Sequence, residues 1–337
     1  MIEIGTYKRK KVYKSTISNG IISADIINYG AILTSLRVKK DNEIVDVVLG
    51  YDTLEEYIKD TSAFGRTIGR VCNRIKDAKF VLNGITYNLP QNKGTNCLHG
   101  GNNGVSYKIW DIDKVSNDSV SLSCFSPDGE EGFPGNLTLQ TTYSITKDNG
   151  LKIEFSGHSD QDTIIAMTNH SYFNLNGHGS GDILSHKLII NSNLYTPVDD
   201  SSCPFNSFES VKETPFDFTD YKQIGKDIRG NNDQLKICGG YDINYMWNGD
   251  LYKPFVSVVG DKTGLKMDVY TDQKGVQVYT ANFLTKRVGK GKIYDKRHGV
   301  CIETQNPPNA INCNNYPSPI IKKGEKYSAI TEYRFNV

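Results

Sequence analysis

The stretch Thr168–Leu175 places a histidine among residues suited to acid–base chemistry. It reads Thr-Asn-His-Ser-Tyr-Phe-Asn-Leu and directly follows a short apolar run, which predicts that His170 lies where a buried strand ends. Such a strand holds an imidazole on rigid backbone, while Asn169, Ser171 and Asn174 offer hydrogen bonds, as a general acid or base requires. A lone buried histidine is more often a satisfied core residue. His170 therefore needs support from the rest of the chain.

Four other stretches place polar residues beside turns. Asn73 and Arg74 are adjacent, and His99 precedes a pair of glycines that allow close backbone approach. Between residues 239 and 245, strand alternation puts Asp242 on the face opposite three apolar side chains. Glu303 stands just before a double proline that would end its strand. Taken singly, each carboxylate is more often a solvated surface group, so only their combination indicates a site.

The elements that would carry these residues are strands. Asn-Gly dipeptides at positions 19–20 and 83–84 are flanked by alternating apolar residues and predict two hairpins. Period-two alternation over 120–124, 137–145 and 151–155 predicts meander strands, each buried on one face. The fold class indicated is therefore all-β, antiparallel and sheet-on-sheet.

Two more patterns complete the expected architecture. Residues 265–269 and 276–278 alternate on either side of a polar turn and predict another hairpin. Only Thr53–Ile58 indicates a helix, because Thr53 and Glu56 have the spacing of a capping box. Residues 68–75 have helical spacing but also flanking glycines, so a loop is equally consistent. No fixed repeat or low-complexity linker divides the chain. These features predict one large antiparallel β-sandwich domain, 1–337, with very little helix.

Composition restricts the partners. The 39 basic and 38 acidic residues leave a formal charge of +1, which argues against nucleic acid, anionic membranes and polyacidic substrates. Mean hydropathy is −0.46, and no apolar run approaches the ~20 residues that a membrane-spanning helix needs. The seven cysteines are odd in number and form no Cys-x-x-Cys pair, which favours reduced thiols. We therefore expect a soluble, cytoplasmic protein, by default a monomer, that acts on a small and roughly neutral molecule.

Taken together, the polar stretches resemble the aldose 1-epimerases, also called galactose mutarotases. The similar segments occur in the family's order and cover nearly the whole chain. They are Gly69–Ile75, Leu98–Gly101, Asp128–Gly135 (Asp-Gly-Glu-Glu-Gly-Phe-Pro-Gly), Thr168–Leu175, Gly240–Asp242 and Glu303–Gln305. The resemblance implies a single-domain galactose mutarotase-like supersandwich, which agrees with the alternation of the strands.

The resemblance also implies roles for individual residues. Glu303 would be the catalytic base and His170 the acid, with no metal and no cofactor. The sugar-binding residues would be Asn73, Arg74, His99, Tyr172, Asp242 and Gln277. The chain departs from the family's usual pattern at Ile243 and Ala281. These departures affect the pocket wall, and therefore the choice of sugar, rather than the chemistry.

The implied reaction suits one acid and one base. Interconversion of α and β anomers removes the proton of the C1 hydroxyl, protonates the ring oxygen and recloses the rotated aldehyde from the other face. A carboxylate with a reference pKa of about 4.3 can accept the first proton, and a histidine with a reference pKa of about 6.5 can donate the second. The expected partner is a free aldohexose such as galactose or glucose.

Four alternatives stay open at the level of sequence. A glycoside hydrolase could use Asp242 and Glu303 as paired carboxylates, and a non-catalytic module could bind sugar through the same residues. A metal centre could combine His99 and His170 with the two carboxylates. A relative acting on hexose 6-phosphates would need a cluster of cations. That cluster could be Arg66, Arg70 and Arg74.

Overall fold

Alternating burial along the strands reproduces the alternation in the sequence. In the computed structural model, which describes residues 1–337, strand Leu137–Ile145 buries every second side chain. Strand Ser119–Ser126 has the same period. Each pairs antiparallel with its sequence neighbour, so the predicted meander is confirmed. The hairpins at 19–20 and 83–84 are confirmed too.

Three large antiparallel sheets account for most of the chain. The five-stranded sheet consists, in order, of Ile2–Tyr7, Lys10–Ser18, Ile22–Ile27, Ile32–Lys40 and Glu43–Asp46. The nine-stranded sheet consists, in order, of Asp111–Val115, Ser119–Ser126, Leu137–Ile145, Gly150–Ser159, Lys326–Asn336, Lys266–Thr271, Val256–Val259, Lys187–Ile190 and Lys222–Gln223. The six-stranded sheet consists, in order, of Tyr172–Phe173, Val300–Gln305, Gly275–Tyr279, Asp242–Met246, Leu194–Thr196 and Glu209–Ser210.

Smaller pairings and single turns complete the structure. The two-stranded ladders join Arg74–Ile75 with Cys97–Leu98, Thr67–Ile68 with Thr168–Asn169, Thr163–Ile164 with Ile320–Ile321, Lys79–Leu82 with Ile85–Asn88, and Arg287–Gly289 with Lys292–Tyr294. The 3₁₀ turns are Lys76–Ala78, Val105–Tyr107, Glu130–Gly132 and Ala310–Asn312. Residues 68–75 therefore form short strands around a loop, and not a helix.

Two short α-helices interrupt the strands. Helix α1, Leu54–Lys59, has the predicted capping box, with the Thr53 hydroxyl and the Glu56 carboxylate each accepting from the other's backbone N–H. Helix α2, Asp233–Cys238, was not predicted. It begins at Asn232, whose side chain accepts from two backbone N–H groups, and it ends at Gly239 with φ of 64°. Neither helix is long or apolar enough to cross a membrane.

The predicted hairpin between 265–269 and 276–278 is wrong. Lys266–Thr271 belongs to the nine-stranded sheet and Gly275–Tyr279 to the six-stranded sheet. The intervening residues cross from one sheet to the other and are bonded to distant segments. Asp272 accepts from the backbone of Ile330, and Gln273 donates to the carbonyl of Met167. Local alternation reports which faces are buried, but it does not report the partner strand.

The main core lies between the three large sheets. It contains 54 buried residues drawn from all of them, which makes the molecule a large antiparallel β-sandwich with little helix, as predicted. In the six-stranded sheet, Tyr241, Ile243 and Tyr245 point into this core, while Asp242 and Asn244 point to the other face. That second face carries the polar residues of the cleft described next.

Candidate active site

A cleft of about 210 Å³ opens beside the polar face of the six-stranded sheet. This volume is below the ~300 Å³ at which pockets for drug-sized ligands begin, so the cleft fits a small molecule. Its walls come from several loops and strands. They are formed by Thr61, Ser62, Ala63, Asn73, Arg74, Lys93, Leu98, His99, His170, Tyr172, Asp242, Tyr279, Phe283, Leu284, Arg287 and Glu303.

Strand register explains how distant residues meet there. Tyr172 lies opposite Cys301, and Glu303 lies opposite Gln277. Since side chains two residues apart share a face, His170 is carried to the side of the sheet that holds Glu303. His170 Nε2 and Glu303 Oε1 are 3.6 Å apart. The imidazole and the carboxyl therefore meet in one cleft across 133 residues of sequence (303 − 170).

Burial shifts the pKa of both members of this pair. It lowers the pKa of His170 to about 4. It also raises the pKa of Glu303 well above its ordinary value, and the charge of Asp242 adds to this effect while Arg74 opposes it. Both directions disfavour the charged forms. When the proton between them is on the carboxyl, both groups are uncharged.

His99 is held by the loop that carries Asn73. Its ring Nδ1 accepts a hydrogen bond of 3.2 Å from the backbone N–H of Asn73, and the backbone N–H of His99 donates to the backbone carbonyl of Asn73. The accepting Nδ1 fixes the ring proton of neutral His99 on Nε2. Burial lowers the pKa of His99 most, and repulsion from His170 and Arg74 lowers it further. His99 is thus an uncharged hydrogen-bond donor at the wall of the cleft.

Asp242 and Arg74 form a charged pair on the opposite wall. Arg74 Nη2 lies 3.5 Å from Asp242 Oδ2, and Arg74 Nη1 also donates to Asn73 Oδ1. Gln277 donates to Asp242 Oδ1 at 2.6 Å. Both charged side chains are about 10% exposed, so each keeps an edge available to a ligand while its partners hold it in place.

Aromatic residues form the floor around the imidazole. The Tyr172 ring stacks on His170 with centroids 5.1 Å apart, and its hydroxyl donates to the Ser62 carbonyl. Tyr279 meets both rings edge to face. These contacts fix the plane of the imidazole and give the cleft an apolar surface next to its polar groups.

Several buried polar atoms of this region have no partner within the chain. They include Arg74 Nε, Gln277 Oε1 and Glu303 Oε2. A buried polar atom without a hydrogen bond costs about 1–3 kcal/mol, and three of the fourteen such atoms in the chain belong to predicted site residues. The arrangement suits a ligand rich in hydroxyl groups.

The structure brings seven of the eight predicted site residues to the cleft wall. The exception is Gln277, which stands behind Asp242 and supports it. Arg66 and Arg70 lie elsewhere. Arg66 donates to backbone carbonyls of Ser106 and Tyr57, and Arg70 donates to three backbone carbonyls and a serine hydroxyl. The arginine cluster needed for a sugar phosphate is therefore not formed.

Sequence reasoning missed other residues of the site. The site residues Thr61, Ser62, Ala63, Phe283 and Leu284 belong to loops without a distinctive pattern, and Arg287 begins a three-residue strand, so nothing in the sequence identified them. Cys301 could have been found, because it lies two residues before Glu303 and so shares its face. Its Sγ is 3.6 Å from His170 Nδ1.

One group of possible metal ligands is present, formed by His170, Cys301 and Glu303. It differs from the set considered from sequence, because Cys301 replaces His99 and Asp242. The sulfur approaches Nδ1 of the imidazole and the carboxylate approaches Nε2. The ring stands between the two, an arrangement that suits hydrogen bonding to both nitrogens better than shared ligation of one ion.

Fold and cleft define an all-β protein of the galactose mutarotase fold. Its relatives agree. The sequence profile of the family described as aldose 1-epimerase matches residues 13–334, and the chain belongs to this family. The galactose mutarotase of Rattus norvegicus is 38% identical over 97% of this chain and 94% of its own length. The aldose 1-epimerase of Haemophilus influenzae is 36% identical over 92% of this chain and 91% of its own length.

Solved structures agree with this placement. An aldose epimerase homologue from C. elegans superposes with a TM-score of 0.88 at 30% identity, covering 96% of this chain and 99% of its own. A galactose 1-epimerase from Lactobacillus acidophilus has the same TM-score at 25% identity, covering 99% and 97%. The predicted fold class and family are confirmed.

Proposed function

We propose that this protein is an aldose 1-epimerase that interconverts the α and β anomers of free aldohexoses such as galactose and glucose. The observation that carries the proposal is the 3.6 Å approach of His170 and Glu303 at the wall of a small polar cleft. The family membership supports the same reaction, an isomerisation. His170 and Glu303 as acid and base are our assignment from the geometry.

The reaction requires one proton to leave the sugar and another to enter it. Glu303 takes the proton of the C1 hydroxyl while the bond between C1 and the ring oxygen breaks. The electron pair of that bond goes to the ring oxygen, which takes the Nε2 proton of His170 in its imidazolium form and leaves the ring neutral with its other proton on Nδ1. The product is the open-chain aldehyde. After rotation about the C1–C2 bond, the reverse transfers close the ring on the other face of the carbonyl and restore both groups.

The shifted pKa values suit this exchange. A raised pKa makes the Glu303 carboxylate a stronger base, and a lowered pKa makes the His170 imidazolium a stronger acid. A positioned acid and a positioned base each give about 10²–10⁴-fold acceleration. Each closing step starts from the protonated carboxyl and the neutral imidazole, which are the uncharged forms that burial favours.

The other residues would bind and orient the sugar. Asp242 accepts from sugar hydroxyls, and Arg74 and His99 donate to sugar oxygens. Tyr172 packs beside the pyranose. Asn73 positions His99 and Arg74 through the hydrogen bonds described above, and Gln277 acts beneath Asp242, where its free Oε1 can accept from a hydroxyl.

A glycoside hydrolase is the main competing function. It would need two carboxyl groups as acid and base or nucleophile. Here the group that faces Glu303 most closely is an imidazole, while Asp242 is held by Arg74 and Gln277. This arrangement favours the epimerase.

The test is polarimetry of freshly dissolved α-galactose and α-glucose. We expect the purified protein to accelerate the decay of optical rotation in proportion to its concentration, without release of a reducing sugar from glycosides. A decay rate equal to that of buffer would contradict the proposal. Saturable sugar binding without faster decay would indicate a binding module.

We further propose that residues 1–337 act as one domain, because the cleft draws its walls from residues 61 to 303 and the core from all three sheets. The near-neutral charge and the seven free buried cysteines support a monomer in the reducing cytoplasm that engages neither nucleic acid nor membrane. Size-exclusion chromatography with light scattering tests the monomer.

A further inference from the structure

Both ring nitrogens of His170 face side chains from a single strand. Cys301 Sγ lies 3.6 Å from Nδ1, and Glu303 Oε1 lies 3.6 Å from Nε2. The two residues are separated by one position in strand Val300–Gln305, so they project from the same face. Any rotation of the imidazole that keeps one contact must therefore disturb the other. The strand therefore contacts the ring at both nitrogens and restricts its rotation.

Cys301 is placed to accept a hydrogen bond from the imidazole. It is fully buried, and its Sγ lies within hydrogen-bond distance of His170 Nδ1. Sulfur is a weak acceptor, so an Nδ1–H can donate to it. When Nδ1 carries the ring proton of neutral His170, Nε2 is bare and can receive a proton. That nitrogen faces Glu303 and the cleft.

We propose that Cys301 is a positioning residue for the anomerisation reaction, with a sulfur that orients His170 and keeps the ring proton of its neutral form on Nδ1, so that Nε2 is free to exchange a proton beside Glu303 and the bound sugar. The inference rests on the proposed function of the same cleft. It adds a residue that touches neither sugar nor transferred proton and acts through His170 alone.

A thiol suits this position better than the partners used by the neighbouring histidines. The Asn73 backbone N–H at His99 Nδ1 can only donate, so it holds the proton of the neutral ring on Nε2. A carboxylate such as Asp261, which pairs with His186, would favour the imidazolium. A thiol sulfur accepts weakly from Nδ1–H and adds no charge. Nε2 of His170 is thus left free to gain and lose the catalytic proton.

The experiment compares Cys301→Ala, Cys301→Ser and a control, Cys124→Ala. Cys124 is also buried but lies in strand Ser119–Ser126, where its thiol donates to the backbone carbonyl of Phe125. Anomerisation of α-galactose gives kcat and KM for each variant. Nitrogen-15 NMR of protein labelled at histidine reports which ring nitrogen of His170 carries the proton, with signals assigned by their loss in His170→Asn.

We expect Cys301→Ala to lower kcat roughly 10- to 100-fold, since a misplaced catalytic group costs rates of this order, with KM little changed. Its neutral His170 signals should change from a single Nδ1–H form to a mixture of tautomers. Cys301→Ser should recover most of both properties, because a hydroxyl oxygen also accepts. Cys124→Ala should match the parent.

Three results would overturn the proposal: unchanged kcat and unchanged His170 nitrogen signals in Cys301→Ala, an equal loss in Cys124→Ala, or no recovery in Cys301→Ser. The NMR measurement does not depend on turnover. If the parent protein failed to accelerate anomerisation, the proposed function would fall, while the effect of Cys301 on the His170 tautomer would still be decided.

Discussion

His170 and His186 are both almost completely buried, and burial lowers the pKa of each to about 4. Their hydrogen bonds differ. His186 Nε2 accepts from the backbone N–H of Leu175, and its Nδ1 is 3.0 Å from Asp261, so both ring nitrogens have firm partners. His170 has a thiol at 3.6 Å and a carboxyl at 3.6 Å, both longer than a strong hydrogen bond.

The difference teaches that a shifted pKa alone does not identify a functional histidine. His186 joins the segment after strand Tyr172–Phe173 to the turn at Asp261, and it does not line the candidate cleft. His170 stands near unpartnered atoms of Arg74, Gln277 and Glu303. Function is expected where the polar atoms of the fold lack partners, because a ligand can supply them. The following predictions test this contrast, in order of decreasing effect.

Glu303→Gln should have the largest effect. The amide is nearly the same size but cannot accept the C1 proton, so kcat should fall by about 10³–10⁴-fold, the upper part of the range for a lost general base. Polarimetry with α-galactose measures it. A rate within a few-fold of the parent would show that Glu303 is not the base.

His170→Asn and His186→Gln form a matched pair for the central comparison. Loss of the acid should lower kcat of His170→Asn by roughly 10²–10³-fold, with sugar binding largely kept. Gln at 186 can accept from Leu175 and donate to Asp261, so the rate of His186→Gln should stay near that of the parent. Equal losses in the two variants would mean that His170 is structural.

Asp242→Asn should weaken binding more than turnover. A hydrogen bond to a charged group contributes about 1.5–3 kcal/mol, so we expect KM for galactose to rise about tenfold or more. The charge of Asp242 raises the pKa of Glu303; its removal should therefore shift the acidic limb of the kcat profile to lower pH. A shift to higher pH would contradict the coupling of the two carboxyl groups.

Replacement of His186 should change the pH dependence of stability and leave catalysis unchanged. Its folded pKa of about 4 lies below the unfolded value of about 6.5, so the unfolded state binds the proton first and stability falls as pH decreases through this window. The cost from this residue is roughly 2 kcal/mol between pH 7 and pH 5. Urea unfolding should show a smaller loss for His186→Gln than for the parent. An identical pH dependence would remove His186 as a contributor.

Local signals in the sequence predicted much of the fold. The Thr53–Glu56 capping box, the Asn-Gly turns and the alternation around Asp242 each depend on neighbouring residues, and each was found as predicted. Helix α2 was missed because six residues carry little periodic signal. The hairpin expected at 265–278 failed because two adjacent segments with strand patterns can belong to different sheets.

The sequence by itself determined the strand faces, the family resemblance and the types of the site residues, because these depend on side-chain chemistry and on spacing within a few positions. Only the tertiary structure decided that His170 and Glu303 meet, that Gln277 stands behind Asp242, that Arg66 and Arg70 leave the cleft and that Cys301 reaches Nδ1 of His170. Pairing between strands far apart in the chain sets these distances, and its register follows from packing of the whole core.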